Sequence, residues 1–126
     1  MSDFITLIEA LAIHTDQIAR YGGSYGIRDK GLLEAALFRP QIGYYEDLIQ
    51  EAAALWESLA QNHPFIDGNK RTAFAVTYTF LALNGVVISA EAETAYAFIS
   101  QLYEKNNFAF EVLDHWLRLN TIGRSA

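Results

Sequence analysis

The segment that decides the fold is residues 63–83, which read HPFIDGNKRTAFAVTYTFLAL. Beyond its first turn, the stretch from Asn69 to Leu83 presents almost no polar face, and a helix that is apolar all round is buried. Pro64 pushes the residue before it out of the α region, which separates this helix from the one before it. Asn84-Gly85 supplies a stop signal. We therefore predict a buried central helix over about residues 69–83.

Helical periodicity also runs through most of the remaining chain. Thr6 and Glu9 have the spacing of a capping box, which opens a first helix that runs to about Arg20. Asp29 is placed to cap a short second helix. The flanking helices are predicted at about residues 7–20, 30–38, 46–62, 90–105 and 110–119, with a short extended piece at 86–88. The prediction is an all-α fold, one domain over residues 1–126, built around the central helix.

Between the first two helices lies a glycine-rich stretch, YGGSYG at residues 21–26. Three glycines in six residues predict a loop. Two interpretations of Gly22-Gly23 stay open: a simple turn, or a role in shaping a cleft.

Composition limits the classes of function. The chain has 126 residues, 52% of them hydrophobic, and carries nine basic against 15 acidic residues, for a net charge of −6. An acidic balance is the opposite of what backbone-type nucleic-acid binding requires. No apolar run approaches the roughly 20 residues of a membrane span, and the N-terminus lacks the features of a signal peptide. Cysteine is absent, so the chain has no disulfide framework, and we expect a cytoplasmic protein. From the charge balance and the lack of a long apolar run, we also expect no direct binding to nucleic acids or membranes.

The charges at the start of the central helix are unusual. Lys70 and Arg71 fall in its first turn, where the helix dipole and free N–H groups already create a partial positive charge. The arrangement becomes favourable if an anion binds there. Gly68, which lacks a Cβ, lets a phosphate approach the backbone. The two cations at the positive end of the helix therefore predict a phosphate site.

Three further side chains in this segment suit phosphate chemistry. His63 is a candidate general base, because an unperturbed imidazole titrates near neutral pH. Asp67 is a candidate carboxylate ligand for Mg²⁺, which accepts one or two carboxylates together with phosphate and water oxygens. Asn69 is a candidate hydrogen-bond donor to a phosphate oxygen. Phe65 and Ile66 are expected to anchor the loop against the core.

Each of these residues also has a purely structural interpretation. His63 would then be a helix-end cap, Asp67 or Asn69 a helix N-cap, and the two cations surface residues extending from a buried helix. Their convergence on one helix start favours function. Outside the segment, His14 is interpreted as a structural histidine with a satisfied hydrogen bond, and His115 is given no role.

The stretch HPFIDGNKR closely resembles the signature of the Fic/Doc superfamily, and more narrowly that of the Doc (death-on-curing) toxins. Residues 20–23, with Gly26 and Asp29, resemble the glycine loop after the first helix of Doc-type proteins, and residues 80–85 resemble the end of their central helix. The resemblance covers nearly the whole chain. It implies a compact helical domain and a toxin of a toxin–antitoxin system.

Two positions depart from the usual Fic pattern. Typical Fic enzymes transfer AMP from ATP to a protein hydroxyl, and they carry Gly where this chain has Lys70 and Arg where it has Phe74. Lys at position 70 is the pattern of Doc toxins. Doc toxins resemble Fic enzymes in fold but act as kinases that phosphorylate a threonine of translation elongation factor Tu with ATP, which stops protein synthesis. A Lys beside the attack point is consistent with the compact γ-phosphoryl group.

By this resemblance, His63 is the catalytic base, Asp67 holds Mg²⁺, and Gly68, Asn69, Lys70 and Arg71 bind the phosphates of ATP. It also implies a cognate antitoxin whose C-terminal segment folds into a groove on the toxin. The first hypothesis is therefore a Doc-like Ser/Thr protein kinase. The alternatives are a Fic-type adenylyltransferase and a catalytically silent module that binds its antitoxin.

Overall fold

The computed structural model describes residues 2–123, and this part of the chain is mostly helical, as predicted. Its helices are α1 (Leu7–Tyr21), α2 (Lys30–Phe38), α3 (Leu48–Asn62), α4 (Asn69–Leu83), α5 (Ala92–Glu104) and α6 (Phe110–Leu119). A short 3-10 helix, Arg39–Gln41, follows α2. Strand β1 (Val86–Ile88) pairs antiparallel with β2 (Thr121–Gly123). Strand β2 was not predicted, because three residues after a helix carry no alternating pattern.

Side-chain caps fix several of the helix starts where the sequence places them. Thr6 and Glu9 form the predicted capping box, with bonds of 2.8 and 3.2 Å between each backbone N–H and the other side chain. Asp29 accepts a bond from the N–H of Leu32 at the start of α2. Asp47 caps α3, which therefore begins at Leu48, two residues later than predicted.

The core is built on α3 and α4. Helix α3 lies between α2, α4 and α6, and residues 52–56 and 58–60 are all buried in it. Helix α4 buries six side chains, as predicted for the central helix. One of its faces is nevertheless open, since Tyr78 and Leu83 are 43% and 48% exposed. An apolar helix face in the sequence predicts that the face is buried, but it does not tell whether it packs against this chain or against a partner protein.

The connection from α3 to α4 lies beside the glycine loop. Ile27 forms an isolated antiparallel bridge with Phe65, which is 2% exposed. The end of α3, the start of α4 and residues 22–29 are thereby brought to one end of the molecule. Within residues 2–123, no helix is both long and apolar enough to span a membrane.

Candidate active site

His63 follows the last residue of α3 and has a left-handed backbone, with φ 46° and ψ 57°. This conformation is uncommon outside glycine and turns the chain sharply out of the helix. His63 is exposed to solvent. Arg28 holds the turn from outside: its Nε donates to the carbonyl of His63 at 2.6 Å, and its Nη2 donates to that of Asn62 at 2.8 Å.

Phe65 and His14 anchor the loop in the core. Their rings stack at a centroid separation of 3.9 Å and an interplanar angle of 4°. His14 is 3% exposed, and its Nε2 donates to the carbonyl oxygen of Asp67 at 2.8 Å, because a carbonyl only accepts. The interpretation of His14 as a satisfied structural histidine is confirmed, and its partner is the loop itself. The expectation that Ile66 is also an anchor is wrong, because Ile66 is 58% exposed.

The Asp67 carboxylate is exposed and is held by two backbone N–H groups. Oδ2 accepts from Ser24 at 3.1 Å and Oδ1 from Gly68 at 2.8 Å. These two bonds lower the pKa of Asp67, because a hydrogen bond to the charged carboxylate stabilises that form. The bond from Ser24 has the larger effect. The carboxylate is therefore ionised at neutral pH and fixed in direction.

The Asp67 carboxylate could serve as one ligand of a Mg²⁺ ion. Each carboxylate oxygen uses one lone pair for a backbone N–H and keeps the other free. Among the described residues, no group of three or more His, Cys, Asp or Glu could hold a metal. A single carboxylate suits Mg²⁺, which completes its octahedron with phosphate oxygens and water.

Gly68 caps α4 in a left-handed conformation, with φ 73°. The positive φ favours glycine, and a Cβ at this position would also lie 2.9 Å from Cδ1 of Ile18 on α1. Its N–H is taken by Asp67, which leaves Gly68 to act through its missing side chain rather than as a phosphate donor. No side chain in the described part of the chain caps α4, and its first turn contains no acidic residue.

Asn69 closes the loop on itself. Its Oδ1 accepts from the N–H of Phe65, and its Nδ2 donates to the carbonyl of Phe65, both at 2.9 Å. The predicted bond from this amide to a phosphate thus depends on the second hydrogen of Nδ2. The first role of the Asn69 side chain is to shape the loop.

The two cations of the first turn lie on different sides of α4. Arg71 donates from Nη2 to the carbonyl of Gly22 at 2.9 Å, and its guanidinium lies over the ring of Tyr21. The ammonium of Lys70 lies 4.4 Å from the ring centroid of Tyr103 on α5, a cation–π contact. Burial raises the pKa of Tyr103 to about 12, so this ring is neutral at physiological pH.

The predicted site residues share one cavity of about 380 Å³. It is lined by His63, Ile66, Asp67, Gly68, Asn69, Lys70 and Arg71. A base candidate, an ionised carboxylate and the positive start of a helix therefore face the same space. This combination suits transfer of a phosphorus-bearing group to a hydroxyl.

Two of the residues that hold the loop were missed by the sequence analysis, Arg28 and Ser24. Arg28 carries no motif, and Ser24 acts through its backbone N–H, which any residue except proline would supply. The position of three glycines beside Ser24 was the available signal, and the cleft-shaping interpretation of Gly23 fits the structure. A Cβ on Gly23 would lie 2.7 Å from Oδ2 of Asp67.

Comparison with known proteins agrees with this geometry. A model of the Fic/DOC family matches residues 4–81, which is more than half of the chain. The chain belongs to the Fic/DOC family. The matched region includes α1, the glycine loop, the loop at residues 63–68 and most of α4.

Two relatives are similar to this chain. One is the "Toxin Doc" of Mycolicibacterium smegmatis (strain ATCC 700084 / mc(2)155), 50% identical over 76 residues, or 56% of this chain and 58% of the relative. Another is the "Protein kinase doc" of Escherichia phage P1, 40% identical over 91 residues, or 69% of this chain and 72% of the relative. The match therefore spans less than two thirds of the first relative's length. The resemblance to Doc-type toxins is confirmed.

Proposed function

We propose that this chain is a Doc-type toxin that transfers the γ-phosphate of ATP to a Thr or Ser hydroxyl of a target protein. The first candidate target is translation elongation factor Tu, whose phosphorylation would arrest translation. The observation that carries the proposal is the single cavity lined by His63, Asp67 and the cationic start of α4. The name of the phage relative, a protein kinase, supports the same chemistry.

In this proposal His63 is the general base. The imidazole takes the proton of the target hydroxyl as its oxygen attacks the γ-phosphorus. The bond from that phosphorus to the bridging oxygen breaks, the target gains a phosphoryl group, and ADP leaves with the electron pair. The proton stays on the imidazole until solvent removes it. The catalytic contribution of the protein is positioning and charge stabilisation, as phosphoryl transfer requires.

The start of α4 would bind the phosphates. The N–H groups of its first turn, the helix dipole and Arg71 present positive charge to one side of the cavity. Asp67 would hold Mg²⁺, which when bound neutralises charge on the phosphate oxygens. Gly68 provides the left-handed turn into α4 beside the phosphates, and Asn69 keeps the loop in shape.

A second candidate, transfer of AMP, is favoured by the position of Lys70. In most Fic enzymes this residue is Gly, which leaves space for an α-phosphate and its nucleoside. The ammonium of Lys70 lies against Tyr103 and therefore extends towards α5, so it leaves part of that space open. The presence of Lys at position 70, as in Doc toxins, favours phosphorylation. The direction of its ammonium still leaves space for AMP transfer, so both chemistries are tested.

The test is to incubate the protein, Mg²⁺ and purified elongation factor Tu with ATP labelled at either the γ- or the α-phosphorus. The proposal predicts protein-bound label from the γ-phosphorus and none from the α-phosphorus. The reverse result would establish AMP transfer and overturn the kinase assignment. His63→Ala is the negative control, because it removes the base and leaves Asp67 and the start of α4 in place.

We further propose that the cognate antitoxin binds the groove beside the open face of α4. This groove of about 480 Å³ lies between α1, α4 and α5, and its apolar side chains include Ile13, Phe74, Tyr78 and Tyr96. Arg71 lines both this groove and the candidate active site. An occupant of the groove would thus contact a residue of the phosphate site directly.

A further inference from the structure

Residues 22–29 run along the outside of the loop at residues 63–68, and we call them the strap. Ile27 pairs with Phe65 in an antiparallel bridge, and the carbonyl of Gly26 accepts from the N–H of Ile66 at 3.1 Å. The N–H groups of residues 28 and 29 both donate to the carbonyl of Pro64, at 2.8 and 3.0 Å. The strap thus bonds to consecutive residues of the loop that carries the site.

Arg28 extends this contact to the base candidate. Its Nε and Nη2 donate to two consecutive carbonyls, those of His63 and Asn62. These are carbonyls at the C-terminal end of α3, which lack partners within the helix and lie at the negative end of its dipole. A guanidinium offers two parallel N–H groups in a fixed fork, so it fixes the direction of both carbonyls at once.

The conformation of His63 needs such support. A left-handed backbone is disfavoured for a residue with a Cβ, and it persists where surrounding contacts hold it. The φ and ψ of His63 set the direction in which its imidazole leaves the chain. Arg28 does not line the cavity, so it touches the backbone of the base and not the reacting atoms.

We propose that Arg28 is a positioning residue, which through the strap holds the His63 backbone in the left-handed conformation that aims its imidazole into the cavity. This inference rests on the proposed role of His63 as base. It predicts that loss of the Arg28 side chain lowers the rate of transfer and leaves ATP binding intact, since the phosphate site on α4 does not depend on Arg28.

The experiment compares Arg28→Ala with Arg20→Ala in the full chain. Arg20 is a matched control, because it is an exposed arginine on neighbouring α1 whose partner is Asp16. We expect kcat for Arg28→Ala to fall at least about tenfold, with KM for ATP within about twofold, as for a small misplacement of a catalytic group. Guanidinium chloride at a non-denaturing concentration should restore part of the rate for Arg28→Ala but not change Arg20→Ala, with sodium chloride as the salt control.

A second readout does not need activity. In NMR spectra of the same variants, the backbone and ring resonances of His63 should shift in Arg28→Ala and stay in place in Arg20→Ala. If the wild type transfers phosphate and Arg28→Ala retains its kcat, the inference is overturned. If the wild type transfers no phosphate, the proposed function fails, and unchanged His63 resonances in Arg28→Ala would overturn this inference separately. If Arg28→Ala does not fold, Arg28→Gln is measured in its place by the same criteria.

Discussion

Gly23 sits where a single methyl group would meet the candidate metal ligand. Its φ is 115°, and a Cβ would lie 2.7 Å from Oδ2 and 3.1 Å from Cγ of Asp67. Neighbouring Gly22 has a φ of 84°, but no contacting atom of the described residues lies within 4 Å of the position that a Cβ would take there. Both glycines therefore have a backbone conformation that other residues rarely adopt, but only at Gly23 would a side chain also meet Asp67.

This pair allows a matched test. Gly23→Ala should displace the Asp67 carboxylate, so we expect the apparent affinity for Mg²⁺ in the transfer reaction to fall about tenfold or more. Both variants should lose about 1–3 kcal/mol of stability, because a residue with a Cβ is strained at positive φ. Gly22→Ala should show this loss alone, without the change in Mg²⁺ affinity. Steady-state kinetics over a range of Mg²⁺ concentrations and denaturant unfolding check both. Equal Mg²⁺ dependence in the two variants would show that contact with Asp67 is irrelevant.

The charge of Asp67 gives a prediction with a definite sign. Hydrogen bonds from Ser24 and Gly68 lower its pKa in the folded state. A lowered pKa contributes stability that is present above the ordinary Asp value, about 3.9, and is lost as pH falls through the folded value. Asp67→Asn should therefore be less stable than the wild type at pH 7 and approach it below the ordinary Asp range. Denaturant unfolding at several pH values measures the difference, and a difference that does not vary with pH would contradict this account.

At the scale of elements, Glu57 joins three segments. From α3 it accepts from the backbone N–H of Phe110 at 2.8 Å, at the start of α6, and from Nη1 of Arg39 at 2.7 Å. Glu57→Gln removes the charge and forces an amide into a site with two donors. We expect a loss of about 1–3 kcal/mol in the free energy of unfolding. Glu111→Gln, an exposed residue of α6, is the control, and a loss of equal size in both variants would assign the effect to net charge.

The sequence predicted the elements whose ends carry side-chain signals. Thr6, Asp29 and Pro64 each act within a few residues of their own position, and the helices they delimit fall close to the predicted bounds. Strand β2 depends on pairing with a strand more than 30 residues away, and the open face of α4 depends on which helices cover it. Such long-range contacts leave no local pattern.

The same distinction holds for the candidate site. Lys70 and Arg71 were found because their charges conflict with a helix start, and His63, Asp67 and Asn69 because their side chains suit phosphate chemistry. The structure places all five around one cavity. The contacts of Arg28, Ser24 and His14 with the loop join residues 35 or more positions apart. They were not predictable without the fold, since each is an ordinary residue in its own local context.

At the scale of the whole molecule, the open groove predicts that neutralisation by an antitoxin and catalysis can be separated. Tyr78→Asp places a charge on the apolar face of α4 without touching His63 or Asp67. We expect binding of the antitoxin to weaken at least about tenfold, as for loss of an aromatic interface residue, while phosphate transfer is retained. Tyr44→Asp, a tyrosine 78% exposed outside the groove, is the control. Calorimetry with the cognate antitoxin measures both variants, and unchanged binding by Tyr78→Asp would place the antitoxin elsewhere.

The central claim is that this chain phosphorylates a protein hydroxyl with His63 as base. The most direct measurement is the intact mass of purified elongation factor Tu after incubation with this protein and Mg-ATP, followed by peptide mapping. The account predicts a gain of one phosphoryl group on a threonine or serine with the wild type and no gain with His63→Ala. A gain of one AMP group, or an equal phosphoryl gain with His63→Ala, would contradict it.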